Sequence, residues 1–576
     1  MLPNESQLSS CLSEVQNFLL SPRSAEERLQ TSPLSFWQSF KHLSKISFPR
    51  VLSYTFSLQV FIDNLLMVLM SNSEQETASI ALISVYLNSC MMLGVAPLYS
   101  ISIEVSKLLG AIDAEKQGDN NQQIIDEKQK GIISAFCNGL LMSSFISLPL
   151  IPAFYWSGSV LTNIFRQDEI AASHAQSFLR PYALGVLPML FRICCQQVLF
   201  SFHYERPTMV MGIVTLLLGV GISALLGFGL PGIQSQGFLG VSAGSIVESY
   251  LTAIFLGLSL VLLPELRNIN FLRMFNSIEG RWRQLGMQSW LGTTFLLGMV
   301  SEAALPVVTS ATAGVIGVNA QAAWTFVMQL NYFFVVPTFA FSHQCYQEVS
   351  RHIGAESYEN ANRLAKYGVA TTLIYLAPFA IIMSLLPWVF DFGETDTHQL
   401  LLVLLPLMSV GLMIESVRYN ILQQLKPLGN QLCSSLTSSM CLVIGMLASV
   451  VFGVLLDYGI YSVAFSYTAC ILLATILLFP DWQQRIRPEK LEIMQNQTGS
   501  SQGCWPCGQE TSDIEREGLT GVVQENADYG TGSSQRATVS AVTPFWQSMS
   551  NTGEWLADVL SCCNSPSYFE SPRQGR

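Results

Sequence analysis

Four carboxylates stand where a soluble protein would not put them: Asp63, Glu248, Glu302 and Glu415 each interrupt a stretch of mostly apolar residues. An ionisable side chain in hydrocarbon is costly, so one that is kept there faces a cavity or a partner and is a candidate for function. Such a group can take a proton or a small cation from one side of a membrane and release it to the other, and that exchange can be coupled to a second solute. Arg192 and Arg418, which follow Phe191 and Val417, can line a cleft, bind an anionic group or simply neutralise the acids. Glu415 and Arg418 are three residues apart, so on a helix they share a face. Tyr54, Tyr86, Trp324, Tyr332 and Phe334 could wall a site for an organic cation, with core packing or an interfacial belt as the competing reading. No phosphate loop of the G-x-x-x-x-G-K-[ST] type and no H-E-x-x-H is present, so nucleotide hydrolysis and zinc proteolysis have no visible site. Gly240-Val241-Ser242-Ala243-Gly244 fits the G-x-S-x-G of hydrolases, but it opens an apolar helix rather than a strand-to-helix turn. The sequence therefore predicts no enzyme, no cofactor and no bound metal beyond a coupling H+ or Na+ at the acids.

The elements that must carry these groups are membrane helices. The chain has 576 residues, 50% hydrophobic and 12% charged, with a mean hydropathy of +0.38, which is too apolar for several soluble domains. Stretches of about 20 apolar residues recur; the spans are predicted at 46–70, 77–109, 131–156, 173–202, 207–230 and 236–264, then at 286–313, 317–346, 367–392, 398–424, 428–456 and 459–480. The reading is an all-α integral membrane protein of twelve transmembrane helices in two six-helix pseudo-symmetric lobes. Runs that are apolar on every face exclude a β-barrel. Lysine and arginine gather in the loops of one side, among them Lys41, Lys45, Lys116, Lys128, Arg206, Arg351, Arg363, Lys426 and Arg485, whereas the other side offers Arg166 and acids such as Asp391 and Asp457. The positive-inside rule then puts both termini in the cytoplasm of a cell membrane, the inner membrane if the source is bacterial. The net charge of −11 is segregated by region and does not point to nucleic acid.

Repetition carries more information than composition. Glu104-Val105-Ser106-Lys107-Leu108-Leu109-Gly110-Ala111 ends the second span, and Glu348-Val349-Ser350-Arg351-His352-Ile353-Gly354-Ala355 ends the eighth, 244 residues on. Duplicated halves in parallel order place a substrate path between two lobes. The chain divides into an arm (1–45), a first lobe (46–264), a basic cytoplasmic linker (265–285), a second lobe (286–480) and a mostly disordered tail (481–576). The tail carries Cys504-Trp505-Pro506-Cys507, half of a zinc site at most, and Cys562-Cys563, a weak acylation signal. The thirteen cysteines show no disulfide framework.

Several segments carry a family likeness: Pro49 with Phe61-Ile62-Asp63-Asn64, Gly94-Val95-Ala96-Pro97 through Gly110-Ala111, Glu205-Arg206-Pro207-Thr208-Met209, and Gly237-Phe238-Leu239-Gly240-Val241-Ser242-Ala243-Gly244. In this order the chain from 46 to 480 resembles the multidrug and toxic compound extrusion (MATE) family. It departs from that pattern where Leu199–Phe200–Ser201–Phe202–His203 and Gln423–Gln424–Leu425–Lys426 replace a glycine-rich L-R-G-x-G. The resemblance implies a secondary transporter that exports organic cations or other toxic amphiphiles in exchange for H+ or Na+ by alternating access. Acids of the family's first, seventh and tenth helices bind the coupling ion, and Asp63, Glu302 and Glu415 fall at those places, with Glu248 a further candidate from its burial alone. Its partners would be the lipid bilayer and a small-molecule substrate, met in the cleft by Arg192, Arg418, Tyr54, Trp324 and Tyr332. A flippase for lipid-linked precursors and a membrane scaffold without transport are the alternatives.

Overall fold

The computed structural model describes residues 35–71, 74–118, 121–165, 167–229, 232, 234–269, 281–390 and 395–493. Arg166, Asp391, the middle of the linker and the tail from 494 onward, with its cysteine pairs, lie outside the described residues. All regular structure among the described residues is helical. In chain order the helices are α1 (Phe36–Ser53), α2 (Thr55–Met70), α3 (Glu74–Val95), α4 (Ser100–Gln117), α5 (Gln122–Tyr155), α6 (Ser157–Asn163), α7 (Glu169–Tyr182), α8 (Val186–Ser201), α9 (Glu205–Phe228) and α10 (Phe238–Leu262). Then follow α11 (Pro264–Ile269), α12 (Arg281–Ile316), α13 (Val318–Gly354), α14 (Tyr358–Val389), α15 (Thr395–Leu425), α16 (Gln431–Val450) and α17 (Gly459–Arg485).

Among the described residues eleven units are long and apolar enough to cross a membrane, and the shorter apolar stretch Gln59–Met70 in α2 stands in the place of the first span. Two of the crossing units are jointed by 3-10 turns, and a third, Gln431–Leu455, ends in a π-helical turn at Val451–Leu455. Pro97 has no N–H to continue the helical ladder, so α3 passes into α4 through a 3-10 turn at Ala96–Tyr99. A second such turn, Ala183–Gly185, joins α7 to α8 just after Pro181. Other spans outrun the apolar stretch that marks them in the sequence. The third is predicted at 131, but α5 begins at Gln122, where the side chain of Asn121 accepts a hydrogen bond from the Gln123 backbone N–H and caps the helix. Polar helix formers such as Gln122–Lys130 prolong a helix beyond the lipid without adding any apolar signal. Likewise α1 runs unbroken across position 45, and its Phe36 and Phe40 rings meet Tyr367 and Tyr375 of α14.

The interior is richer in hydroxyls than the surface. Leu217, Ile381 and Leu447 are 67%, 58% and 62% exposed toward where lipid would lie, whereas Ser100, Thr215, Ser223, Thr371 and Ser435 are buried between helices. Without a hydrophobic difference between lipid and core, helices associate through close packing of small residues and polar contacts. The pair α9 and α10 illustrates this: Gly219, Ser223 and Gly227, four residues apart, pack against Gly240, Gly244 and Glu248. A Cβ on Gly244 would come within 2.5 Å of the Gly219 carbonyl oxygen and of the Ser223 backbone nitrogen, neither of which can swing aside. Gly244→Ala is therefore expected to lower stability by about 1–3 kcal/mol, seen as a drop in melting temperature in detergent. Gly221→Ala, whose Cβ meets nothing within 4 Å, should leave that temperature unchanged.

Buried apolar side chains fall into separate clusters that follow the two halves of the chain. One gathers residues from Val60 to Leu285, another residues from Leu305 to Ile471. A smaller cluster of Ala96, Ile103, Phe295, Met299, Tyr346 and Tyr419 draws on both halves and marks where the lobes meet.

Candidate functional site

Within the first lobe Asp63 is 2% exposed. Gln59, one turn earlier on α2, places its amide nitrogen 2.9 Å from both carboxylate oxygens. Ser223 of α9 donates to Oδ1 at 3.1 Å, and Ser245 of α10 makes a short bond to Oδ2. Both serines also face the Val241 carbonyl oxygen, at 3.0 and 3.4 Å. Among the described residues no basic side chain comes within ion-pair distance of Asp63. Its surroundings are therefore amide and hydroxyl groups, and the hydroxyl oxygens can equally accept a proton's hydrogen bond or face a small cation. The buried Gln59 Oε1 has no hydrogen-bond partner and adds a further oxygen to this set.

The two arginines are engaged by acids. Arg192 of α8 lies 2.7 Å from Glu248 of α10, whose Oε1 also accepts from Thr252 at 3.2 Å. Arg418 of α15 holds two carboxylates: Glu415 on its own helix, at 2.6 and 2.7 Å, and Glu302 of α12, at 3.2 Å, with Ser438 of α16 as a further partner. The structure thus assembles three of the four acids into ion pairs and leaves Asp63 apart. The triad has two carboxylates for one guanidinium. Lys426, just beyond α15, also acts electrostatically on Glu302; its Nζ sits 3.7 Å above the Phe295 ring and donates to Gln423 Oε1 at 2.9 Å. Burial pushes this ammonium down to about 7, with Glu302 drawing it back up.

The five aromatic candidates are not brought together. Trp324 is fully buried against Tyr467 in the second lobe, Tyr332 is 46% exposed, Phe334 packs on Phe379, and Tyr86 donates to the Ala153 carbonyl in the first lobe. Only Tyr54 reaches the other lobe, its hydroxyl 2.7 Å from Nδ1 of His343. Around that histidine the structure gathers a cluster the sequence reading missed: Tyr419 bonds Nε2 at 3.1 Å, and the Tyr99 and Tyr346 rings lie 4.4 and 5.4 Å away. Ser242, in the hydrolase-like motif, donates to the Phe178 carbonyl at 2.8 Å from inside a helix, and its glycines serve the contact of α9 with α10. A surface hollow of about 540 Å³, lined by Ile316, Gly317, Leu400, Asp457 and Tyr461 among others, touches none of the candidate acids.

The fold defines a polytopic helical membrane protein of two pseudo-symmetric lobes. No protein-family model matches the chain. Two curated relatives do: the probable multidrug resistance proteins NorM of Xanthomonas campestris pv. campestris, 24% identical over 251 residues, and of Xanthomonas axonopodis pv. citri, 25% identical over 236. These matches cover 43% and 40% of this chain and 50% and 47% of the relatives, so the chain spans about half the length of the curated relatives it matches. Among solved structures, the eukaryotic MATE transporter AtDTX14 superposes with a TM-score of 0.67 at 15% identity, covering 80% of this chain and all of that one. A MATE in the bent conformation gives 0.63 at 15% identity, over 81% and 98%. A MOP superfamily transporter from Pyrococcus furiosus, whose reverse polarity of the binding pocket suggests a different function, gives 0.63 at 16%, over 79% and 97%. The chain has the twelve-helix fold of the MATE transporters, and its sequence is similar to the two NorM proteins over about half of their length.

Proposed function

We propose that the chain is a secondary antiporter that exports organic cations or other toxic amphiphiles in exchange for H+ or Na+ by alternating access, with its basic end facing the cytoplasm. The observation that carries this reading is Asp63: a buried carboxylate held by hydroxyls and an amide, with no basic partner among the described residues. An ionised carboxylate left alone in such a place costs several kcal/mol, roughly, so a proton or a small cation belongs with it. A cation that comes and goes with the facing of the lobes is what coupling requires. The triad around Arg418 supports a second acceptor, because one of its carboxylates is in excess whenever Lys426 is neutral. The flippase reading would favour a more basic cleft, and here both arginines are matched by acids.

The test is movement of a fluorescent cationic dye across liposomes that hold the purified full-length chain under an imposed pH or Na+ gradient. Flux should appear under one gradient and stop when it is collapsed, and Glu302→Gln should reduce it about ten-fold or more, equivalent to at least ~1.4 kcal/mol in the barrier to transport. Absence of dye movement under either ion would sink the antiport reading.

A further inference from the structure

The repeat at the ends of the second and eighth spans does more than record a duplication. Residues equivalent by the 244-residue offset touch each other: Ser102 Oγ lies 2.6 Å from the Tyr346 hydroxyl, and the Tyr99 ring lies 4.4 Å from His343. A residue that touches its own repeat mate sits on the axis relating the two halves, as in an isologous interface. Further along the same helices the contact becomes reciprocal. A Cβ on Gly110 would lie 1.9 Å from the Arg351 carbonyl oxygen, and a Cβ on Gly354 would lie 2.0 Å from that of Lys107; Gly354 and Arg351 are the repeat mates of Gly110 and Lys107. Helices α4 and α13 therefore lie against each other from Tyr99 to Gly110, roughly 16 Å of helix, and at the basic end their backbones meet.

We infer that this glycine crossing is the gate at the basic end, a backbone-to-backbone contact made only when the lobes are closed there. The inference rests on the alternating-access reading above. Carbon and carbonyl oxygen rest about 3.3–3.6 Å apart at their closest favourable contact, so one methyl group at either glycine forces the helices more than about 1 Å apart. Separation also lifts the ties between lobes around the crossing: Arg351 to Asp113, the Lys107 ammonium to the Pro427 carbonyl at 3.0 Å, and Arg50 to Gln347 at 2.6 Å. These three polar ties alone could form and reform over a range of separations. Two glycines set against carbonyls cannot, and they give the closed state a single register.

The gate is tested by the distance between spin labels carried on non-natural residues at the exposed positions Gln117 and Glu359, on opposite sides of the crossing, in the full chain in nanodiscs. The unsubstituted glycines should give a short and a long distance whose ratio follows the ion gradient or pH. In Gly110→Ala and in Gly354→Ala the short population should vanish while the protein stays monodisperse and helical. Persistence of the short distance in both variants overturns the gate and leaves antiport standing, since dye flux would continue. One distance under every condition in the unsubstituted chain overturns alternating access itself. Should neither alanine variant fold, Arg351→Gln, which removes a tie and adds no bulk, decides: the short distance must stay one narrow population set by the glycines, and its spread into a range of separations overturns the inference.

Discussion

Asp63→Asn should abolish gradient-driven dye flux, to at least ten-fold below the unsubstituted chain, without loss of folded protein. Asparagine has almost the same shape and keeps an acceptor for Ser223 or Ser245, and both serines retain the Val241 carbonyl as an alternative partner. What disappears is the charge. An ion-coupled step needs a group whose charge is compensated in one facing and exchanged in the other, and an amide at this position has none to exchange. Melting temperature should stay level or rise, because the buried carboxylate is unmatched by any basic side chain among the described residues and its removal ends a desolvation cost. That pairing of lost flux with undiminished stability separates a coupling role from a structural one: a residue that only held α2 against α9 and α10 would lose both together. Retained flux in a folded Asp63→Asn protein would move coupling to the second lobe, to Glu302 and Glu415.

Much of the architecture was legible because hydrocarbon imposes a length and a composition that few other environments do. The order of the twelve spans, and the equivalence of the second and eighth, follow from apolar runs and one eight-residue repeat. Helix ends were not legible, because Gln122–Lys130 is polar and continues a helix in water as readily as it would form a loop. The acids stood out by their cost in lipid, and Glu415 with Arg418, three residues apart, was legible as a pair, but partners on other helices were not. Nothing in the sequence says that Arg192 meets Glu248 rather than Asp63, since that depends on how α8 and α10 are rotated about their axes. The aromatic wall failed for the same reason: Trp324 and Tyr332, eight residues apart on α13, differ from 0% to 46% exposed. Conversely, the cluster around His343 was within reach. Extending the 244-residue offset beyond Glu104 pairs Tyr99 with His343 and Ser102 with Tyr346, but these pairs differ in residue type, so identity alone stops short of them. Ser223 and Ser245 were hidden more thoroughly, as two hydroxyls among many in α9 and α10.

The asymmetry between the lobes makes Arg418 the sharper test of structure. In the first lobe the arginine of the fourth span pairs with Glu248, and in the second the arginine of the tenth span, at a comparable place, holds two acids, from α12 and from its own helix. Arg418→Met preserves length and removes the charge, leaving Glu302 and Glu415 without their guanidinium and Ser438 without a donor. Removing one partner of a buried ion pair typically costs about 3–5 kcal/mol, and the variant is expected to lose stability of that order, read as lower melting temperature and yield. The carboxylates are 9% exposed for Glu302 and 15% for Glu415, against 1% for Arg418, so the guanidinium is the most deeply buried member of the triad. Replacing all three together, as Arg418→Met with Glu302→Gln and Glu415→Gln, removes the unmatched charges and should recover most of the stability, while flux stays lost if the triad is a second acceptor. A triple variant that is stable and still pumps dye would make the triad a structural strut and leave Asp63 to carry the coupling alone. An Arg418→Met protein as stable as the original would instead mean that Lys426, across Phe295 from the lobe interface, can take over the charge that the guanidinium supplies.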